Sequence, residues 1–258
     1  MRGLERVLKG RRLSRVEPRR ADMRRAFPED LGQRLTGARV TGLGRRAKYG
    51  LVQTDRGDTL VFHLGMSGRW RIDPAELDPH DHLLIETEEG RRLALNDPRR
   101  FGSVDLVRTA ELAEWPPFAA LGPEPFDFSA EDLHQRLEGR QAAIKLLLLD
   151  QRIVAGLGNI YVCEALHRAG IHSNRAGGRV SLERLRRLVP AIRAVLEEAI
   201  EAGGSTLRDY AQPDGELGYF SKSFSVYDRE GKACACGGEV KRFAQGGRST
   251  WYCPKCQR

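Results

Sequence analysis

The sequence predicts an α+β protein, with a strand-rich first half, a helical region after it and a cysteine-clipped carboxyl end. Three observations carry that reading. Apolar residues recur with a period of two between Leu13 and Val107, and with a period near 3.6 in the region that follows. A proline-rich segment, Trp115-Pro116-Pro117 through Gly122-Pro123-Glu124-Pro125, fits no regular element and divides the two regimes as a linker. Four of the five cysteines fall within the last 25 residues. At 258 residues the chain suits two domains better than one.

Taken in order, Leu4, Val7 and Leu8 have helical spacing, so an amphipathic helix spans residues 2–9 and closes at Gly10. No capping residue precedes it. Strands follow at Arg39-Val40-Thr41, Gly50-Leu51-Val52, Thr59–Leu64, His82–Glu86 and Val104–Val107. Turns such as Asp55-Arg56-Gly57-Asp58 and Glu88-Glu89-Gly90 separate them. Short strands at this spacing predict a sandwich or barrel, not a βαβ fold. Beyond the linker, Ser129 with Asp132 caps one helix, Ala142–Asp150 forms a second and Ile160–Ala169 a third. Ser181 opens a long helix to about Ala202, with Leu185, Leu188, Ile192, Val195, Leu196 and Ala199 on its apolar stripe. Pro190 is expected to kink or divide it. Gly203-Gly204 ends it, Ser205 or Thr206 can cap a further turn, and residues 211–224 read as a mobile loop.

Charge narrows the function. Lys and Arg number 43 against 35 Asp and Glu, a net charge of +8. Residues 1–50 carry 15 basic and 5 acidic side chains, the middle is acidic, and residues 151–258 are basic again. If the two ends fold toward one another, a cleft between them could hold a polyanion, and distributed arginines suit a nucleic-acid backbone. Solvated arginine-rich faces are the plain alternative. No run of 18 apolar residues occurs, which excludes a transmembrane helix, and the amino end lacks the apolar core of a secretory signal.

The cysteines form the pattern Cys234-x-Cys236, sixteen residues, Cys253-x-x-Cys256. Two close pairs of thiolates converge on one ion with tetrahedral sulfur ligation, which favours one structural Zn²⁺ in a reducing cytoplasm. Four thiolates leave no open position for catalysis. The first pair is one residue short of the usual knuckle, and Gly237-Gly238 can relieve the turn by adopting unusual backbone angles. A weakened site and free thiols are the other readings. Cys163, among apolar helix residues, reads as a small buried hydrophobe.

Two strand tips stand out. His63-Leu64-Gly65-Met66-Ser67-Gly68 exposes Met66, and Asp97-Pro98-Arg99-Arg100-Phe101-Gly102 ends in two arginines and a ring. Minor-groove proteins insert such apolar wedges between bases. A core Met and Phe flanked by surface arginines is the competing reading. Lys48, in Arg45-Arg46-Ala47-Lys48-Tyr49, lies among cations that weaken its hold on a proton, which suits acid–base or amine chemistry; an ordinary surface lysine is the alternative. Gly156-Leu157-Gly158-Asn159 offers backbone N–H groups for a phosphate, unless Asn159 simply caps the next helix. His80 and His82 flank Asp81, as phosphate contacts or as exposed polar groups.

Together these pieces resemble the bacterial formamidopyrimidine-DNA glycosylases. The matching segments are Arg45–Tyr49, His63–Gly68, Asp97–Gly102, Leu121–Pro125, Ile144–Tyr161, Gly203–Leu207, Gly231 through the cysteines, and Gly246–Thr250, in order along nearly the whole chain. The resemblance implies an amino-terminal β-sandwich (1–120), a helix-two-turn-helix domain (121–215) and a zinc β-hairpin (225–258). It implies a cytoplasmic, monomeric enzyme of base-excision repair that acts on damaged double-stranded DNA at the nucleoid and touches no membrane. Such an enzyme everts an oxidised purine, 8-oxoguanine or a formamidopyrimidine, cuts its glycosidic bond and breaks the strand by β,δ-elimination. By the same resemblance Lys48 is the proton donor in β-elimination, and Arg248 grips phosphate and assists δ-elimination. Met66, Arg99 and Phe101 fill the vacated stack, and His80, Lys145 and Asn159 contact DNA. Residues 212–224 are similar to a loop that closes over the everted base.

The family opens Pro-Glu-Leu-Pro-Glu-Val-Glu-Thr, with the proline as nucleophile and the glutamate as acid, shortly before Arg-Gly-Leu. This chain opens Met1-Arg2-Gly3-Leu4, about nine residues later. The expectation is a natural start upstream of an internal Met; the alternative is a catalytically impaired protein that binds damaged or abasic DNA. A zinc-dependent reader of one fixed sequence is disfavoured, because no helix presents a convincing base-reading face.

Overall fold

In the computed structural model, which describes residues 1–204 and 218–258, the period-two region forms two four-stranded antiparallel sheets. The strands are β1 (Leu13–Pro18), β2 (Val40–Arg46), β3 (Tyr49–Thr54), β4 (Asp58–His63), β5 (Arg69–Ile72), β6 (Asp81–Thr87), β7 (Arg92–Asn96) and β8 (Ser103–Arg108). One sheet has the order β1-β6-β7-β5 and the other β2-β3-β4-β8. Both contribute to a single apolar core: Leu13, Val16, Leu83, Ile85, Leu93 and Leu95 from the first, Val40, Val52, Leu60, Phe62 and Val104 from the second. This is the sandwich arrangement. α1 (Arg2–Leu8) covers it with Leu4, Val7 and Leu8, has no side-chain cap, and ends before Gly10 at φ 77°. A short α2 (Leu31–Leu35) packs on β1. Asp58, buried at the start of β4, is held by Arg34 and by Arg108 at 3.1 Å, so its charge does not go unpaired.

The proline-rich segment is not wholly irregular, as the sequence suggested. Pro116–Ala119 forms a four-residue helix, α3, because proline is pre-organised for a first turn and its missing N–H has no helical partner there.

The described residues divide into two compact units, Met1–Ala119 and Ala120–Ala202 with Tyr219–Arg258. The second contains α4 (Ala130–Leu137), α5 (Ile144–Leu149), α6 (Asn159–Arg168), α7 (Leu182–Glu201) and the hairpin β9 (Lys241–Gln245) and β10 (Arg248–Tyr252). Ser129 and Asp132 make the reciprocal capping box at α4, and Ser181 caps α7. α7 is one helix and is not divided at Pro190. The proline ring faces solvent, so only one ladder bond is lost while Leu188, Val189 and Ile192 stay in the core. Of the loop expected at 211–224 and the cap at Ser205 or Thr206, residues 205–217 lie outside the described residues. Of the remainder, Phe220 opens a 3₁₀ turn and is buried with Phe224 in the helical core, while Tyr219, Lys222 and Ser223 are exposed.

The floor beneath Lys48 depends on the absence of one side chain. Gly50 pairs with Phe62 across β3 and β4, and a Cβ on Gly50 would lie 2.1 Å from the Phe62 ring, which packs edge-on against Trp70. Gly50→Ala is therefore expected to displace that ring and destabilise the sandwich by about 1–3 kcal/mol, measured as a lower urea midpoint.

Candidate nucleic-acid interface and metal centre

In the first unit, β2 and β3 are joined by the two residues Ala47 and Lys48. Ala47 takes φ 51°, an uncommon conformation for a non-glycine residue, and is buried, while the Lys48 side chain is exposed. Next to it Tyr49 meets three rings edge-on: His63 at 5.0 Å, Phe118 at 5.4 Å and Trp115 at 5.8 Å. A cavity of about 190 Å³ opens between Lys48, Leu4, Tyr49, Phe62, Leu64 and Trp70, so the amine borders an apolar recess. A polar cavity of about 240 Å³ lies between Tyr49, His63, Ser103, Arg24 and Arg25. His63 Nδ1 accepts a hydrogen bond from the Gly65 N–H at 3.0 Å. Burial, and then Lys48, Arg24 and Arg25, push its pKa below the usual histidine value.

The two expected tips are adjacent. Met66 is 69% exposed and Phe101 46%, so neither is a core residue and the wedge reading is favoured over the packed one. A Cβ on Gly65, at φ 63°, would sit 2.6 Å from the Phe101 carbonyl carbon, which shows how closely the backbones meet. The Arg99 guanidinium lies 4.7 Å from the centre of the Phe101 ring. His80 is exposed, whereas His82 is buried with Nε2 2.9 Å from the Asp97 carbonyl oxygen.

In the second unit the hairpin turn is Gly246-Gly247, at φ 57° and 72°, and Arg248 follows it, exposed. Lys145 is fully buried, and its ammonium donates to the Ser249 carbonyl at 3.1 Å and to Thr250 Oγ1 at 2.6 Å. Burial lowers its pKa, and Arg248 adds to that. Asn159 does not cap α6; Gly158 holds that position, and Asn159 Nδ2 donates to the same Ser249 carbonyl at 3.0 Å. Two residues read from sequence as DNA contacts thus also seat the strand that carries Arg248. Sequence reasoning missed Glu164. Fully buried in α6, it accepts the N–H groups of Ser225, Val226 and Tyr227 at 2.8–3.0 Å. Its surroundings in the sequence are apolar, so no pattern marked it.

The Sγ atoms of Cys234, Cys236, Cys253 and Cys256 all lie within 4.8 Å of one another. Tetrahedral zinc thiolate requires sulfurs about 3.8 Å apart, so this set fits the ion despite the short first pair. Gly237, at φ 76°, makes the tight turn, and a Cβ on Gly238 would lie 2.9 Å from Cys253 Sγ. The Cys236 thiol is pushed down, mainly by its hydrogen bond with Cys256, whose own thiol is pushed up. His167 Nε2 is 3.3 Å from Cys234 Sγ. Four cysteines form a structural Zn²⁺ site. Among the described residues no helix is long and apolar enough to cross a membrane.

Three family models match the chain: the formamidopyrimidine-DNA glycosylase N-terminal domain at 1–104, its H2TH domain at 121–211, and a zinc finger found in FPG and IleRS at 235–258. The formamidopyrimidine-DNA glycosylases of Novosphingobium aromaticivorans and Rhizorhabdus wittichii are 69% and 67% identical, with 100% of this chain and 96% of each relative covered. A solved complex of Lactococcus lactis Fpg with DNA containing an abasic site superposes with a TM-score of 0.90 at 32% identity, over 100% of this chain and 96% of that one. MutM (Fpg) protein from Thermus thermophilus gives 0.89 at 40% identity, over 99% and 95%.

Two outcomes follow for the metal and for pH. Displacing the cysteines with a thiol-reactive mercurial in the presence of a zinc dye is expected to release one Zn²⁺ per chain, and Cys253→Ser to abolish that release. His63 and His172 both have lowered pKa values through burial, so the native state resists their protonation. Stability is then complete above the unfolded value near 6.5 and falls as pH drops below it; His63→Gln is expected to flatten that fall in urea titrations between pH 5 and 7.

Proposed function

The chain belongs to the formamidopyrimidine-DNA glycosylase family, and from that premise we propose how its own residues serve a bifunctional DNA glycosylase and AP lyase acting on oxidised purines. Damaged double-stranded DNA is the partner. The observation that carries the site assignment is the pair of exposed apolar side chains, Met66 and Phe101, on touching tips. Everting a nucleotide costs a few kcal/mol of unstacking, and filling the vacated space with these side chains offsets part of it. Arg99, held over the Phe101 ring, brings a cation with the wedge. His80, which is exposed, contacts DNA directly, and Lys145 and Asn159 serve DNA contact by seating the hairpin strand that carries Arg248.

Base loss and strand breakage need an amine at the sugar C1′. Its addition to C1′ expels the base, which leaves with a proton; the C1′–O4′ bond then breaks as O4′ takes a proton, giving an iminium that acidifies the C2′ hydrogens, so that loss of one of them drives out the 3′ phosphate. Lys48, exposed beside an apolar recess, supplies a proton in this step. Arg248, on the zinc-clipped hairpin, meets the phosphate where negative charge grows. The substrate sets the place of work as the bacterial cytoplasm, at the nucleoid, and the protein acts as a monomer.

Borohydride trapping on a duplex containing 8-oxoguanine tests this reading. The polypeptide of residues 1–258 is compared with one extended at its amino end by the family's opening segment of about nine residues, which begins Pro-Glu-Leu-Pro-Glu-Val-Glu-Thr, in the family's register with Arg2-Gly3-Leu4. The extended chain is expected to give a covalent adduct and a cleaved strand, and residues 1–258 to bind without trapping. In the extended chain Arg248→Ala is expected to slow strand cleavage by about 10²–10³-fold. An extended chain that neither traps nor cleaves contradicts the proposal.

A further inference from the structure

Asp97 is fully buried, and its hydrogen-bond partners are the loops themselves. Oδ1 accepts from Ser67 Oγ at 2.5 Å, and Ser67 belongs to the Met66 tip. Oδ2 accepts the Gly102 N–H at 2.8 Å, at the far end of the Phe101 tip. Ser67 Oγ in turn accepts the Arg99 N–H at 3.3 Å, so one hydroxyl of the Met66 tip makes two hydrogen bonds to the Phe101 tip. The Asp97 carbonyl closes the second tip by accepting the Arg100 N–H at 3.1 Å, and His82 supports it from within the sheet. The backbones of the two tips also approach closely. A Cβ on Gly102 would lie 2.7 Å from the His63 carbonyl oxygen and 3.1 Å from Asp97 Oδ2, and Arg100 is held at φ 56°.

A buried carboxylate costs several kcal/mol unless its oxygens are hydrogen-bonded. Here that requirement is met only while both tips keep their places. We infer that Asp97 and Ser67 are positioning residues for nucleotide eversion, fixing Met66 and Phe101 at one spacing so that the two side chains enter the duplex as a single wedge. The inference rests on the wedge role proposed above and adds what holds the wedge in shape. Neither Asp97 nor Ser67 need touch DNA: both are buried, whereas the side chains they hold are exposed.

The test measures the affinity ratio between a duplex carrying a tetrahydrofuran abasic analogue and the same duplex intact. The ratio cancels any loss of folded fraction, so a purely structural defect does not move it. Ser67→Ala is expected to lower the ratio about tenfold, the size of one buried hydrogen bond lost. In a background of Met66→Ala with Phe101→Ala, the same substitution is expected to change it less than about twofold, since no wedge remains to be positioned. Asp97→Ala, which removes both acceptors, gives the same pattern and serves if Ser67→Ala does not fold.

An unchanged ratio in both variants overturns the inference. So does an equal loss with and without the wedge side chains. If the unsubstituted protein shows no preference for the abasic duplex, the wedge reading itself fails, which is a distinct outcome.

Discussion

A charge removed from water must find its hydrogen bonds inside the protein, and among the described residues Asp97, Glu164 and Lys145 find them in loop or hairpin segments. Asp97 takes the Gly102 amide and the Ser67 hydroxyl, Glu164 takes three successive amides from Ser225 to Tyr227, and Lys145 takes the Ser249 carbonyl and the Thr250 hydroxyl. Each lies on or beside a regular element and each partner segment is irregular or at an edge. The penalty for leaving such a group unsatisfied, a few kcal/mol, is large against the stability of a whole domain. These hydrogen bonds tie irregular segments to the strands and helices beneath them. Such anchoring is what a wedge and a phosphate-gripping arginine need.

The two compact units use the constraint differently. In the sandwich, burial of one carboxylate sets the geometry between two tips whose side chains stay in solvent. In the helical unit, Lys145 and Asn159 converge on one carbonyl beside Arg248, and the four cysteines fix the other end of the hairpin. The hairpin has little core of its own: Val226, Val240 and Trp251 pack with Cys163, Cys234 and Cys253. Metal ligation and a buried ammonium supply the order that apolar area does not.

Much of this was legible in the sequence. The change of period at the proline-rich segment located the sandwich and the helices, Ser129 with Asp132 marked a cap, and the cysteine spacing marked the metal site, because each of these signals is local. The exposed tips were legible for the same reason: an apolar Met or Phe between small or charged residues is anomalous on its face. The buried charges were not. Asp97 reads as part of a tip until Ser67, thirty residues earlier, is seen beside it, and Glu164 in an apolar helix has no sequence partner before residue 225. That the Lys145 ammonium reaches residues 249 and 250 is not legible either, because nothing local reveals it. Pro190 misled in the other direction, since a proline on the solvent face of a well-packed helix costs one bond and leaves the stripe intact.

The claim that buried charge orders the exposed loops is tested most directly by native-state amide exchange in the zinc-loaded protein. The Gly102 N–H, which donates to Asp97, is expected to exchange as slowly as the interior amides of β8, and to become fast in Asp97→Ala while those β8 amides stay protected. A Gly102 amide that exchanges at the rate of an open turn in the unsubstituted protein would contradict the account.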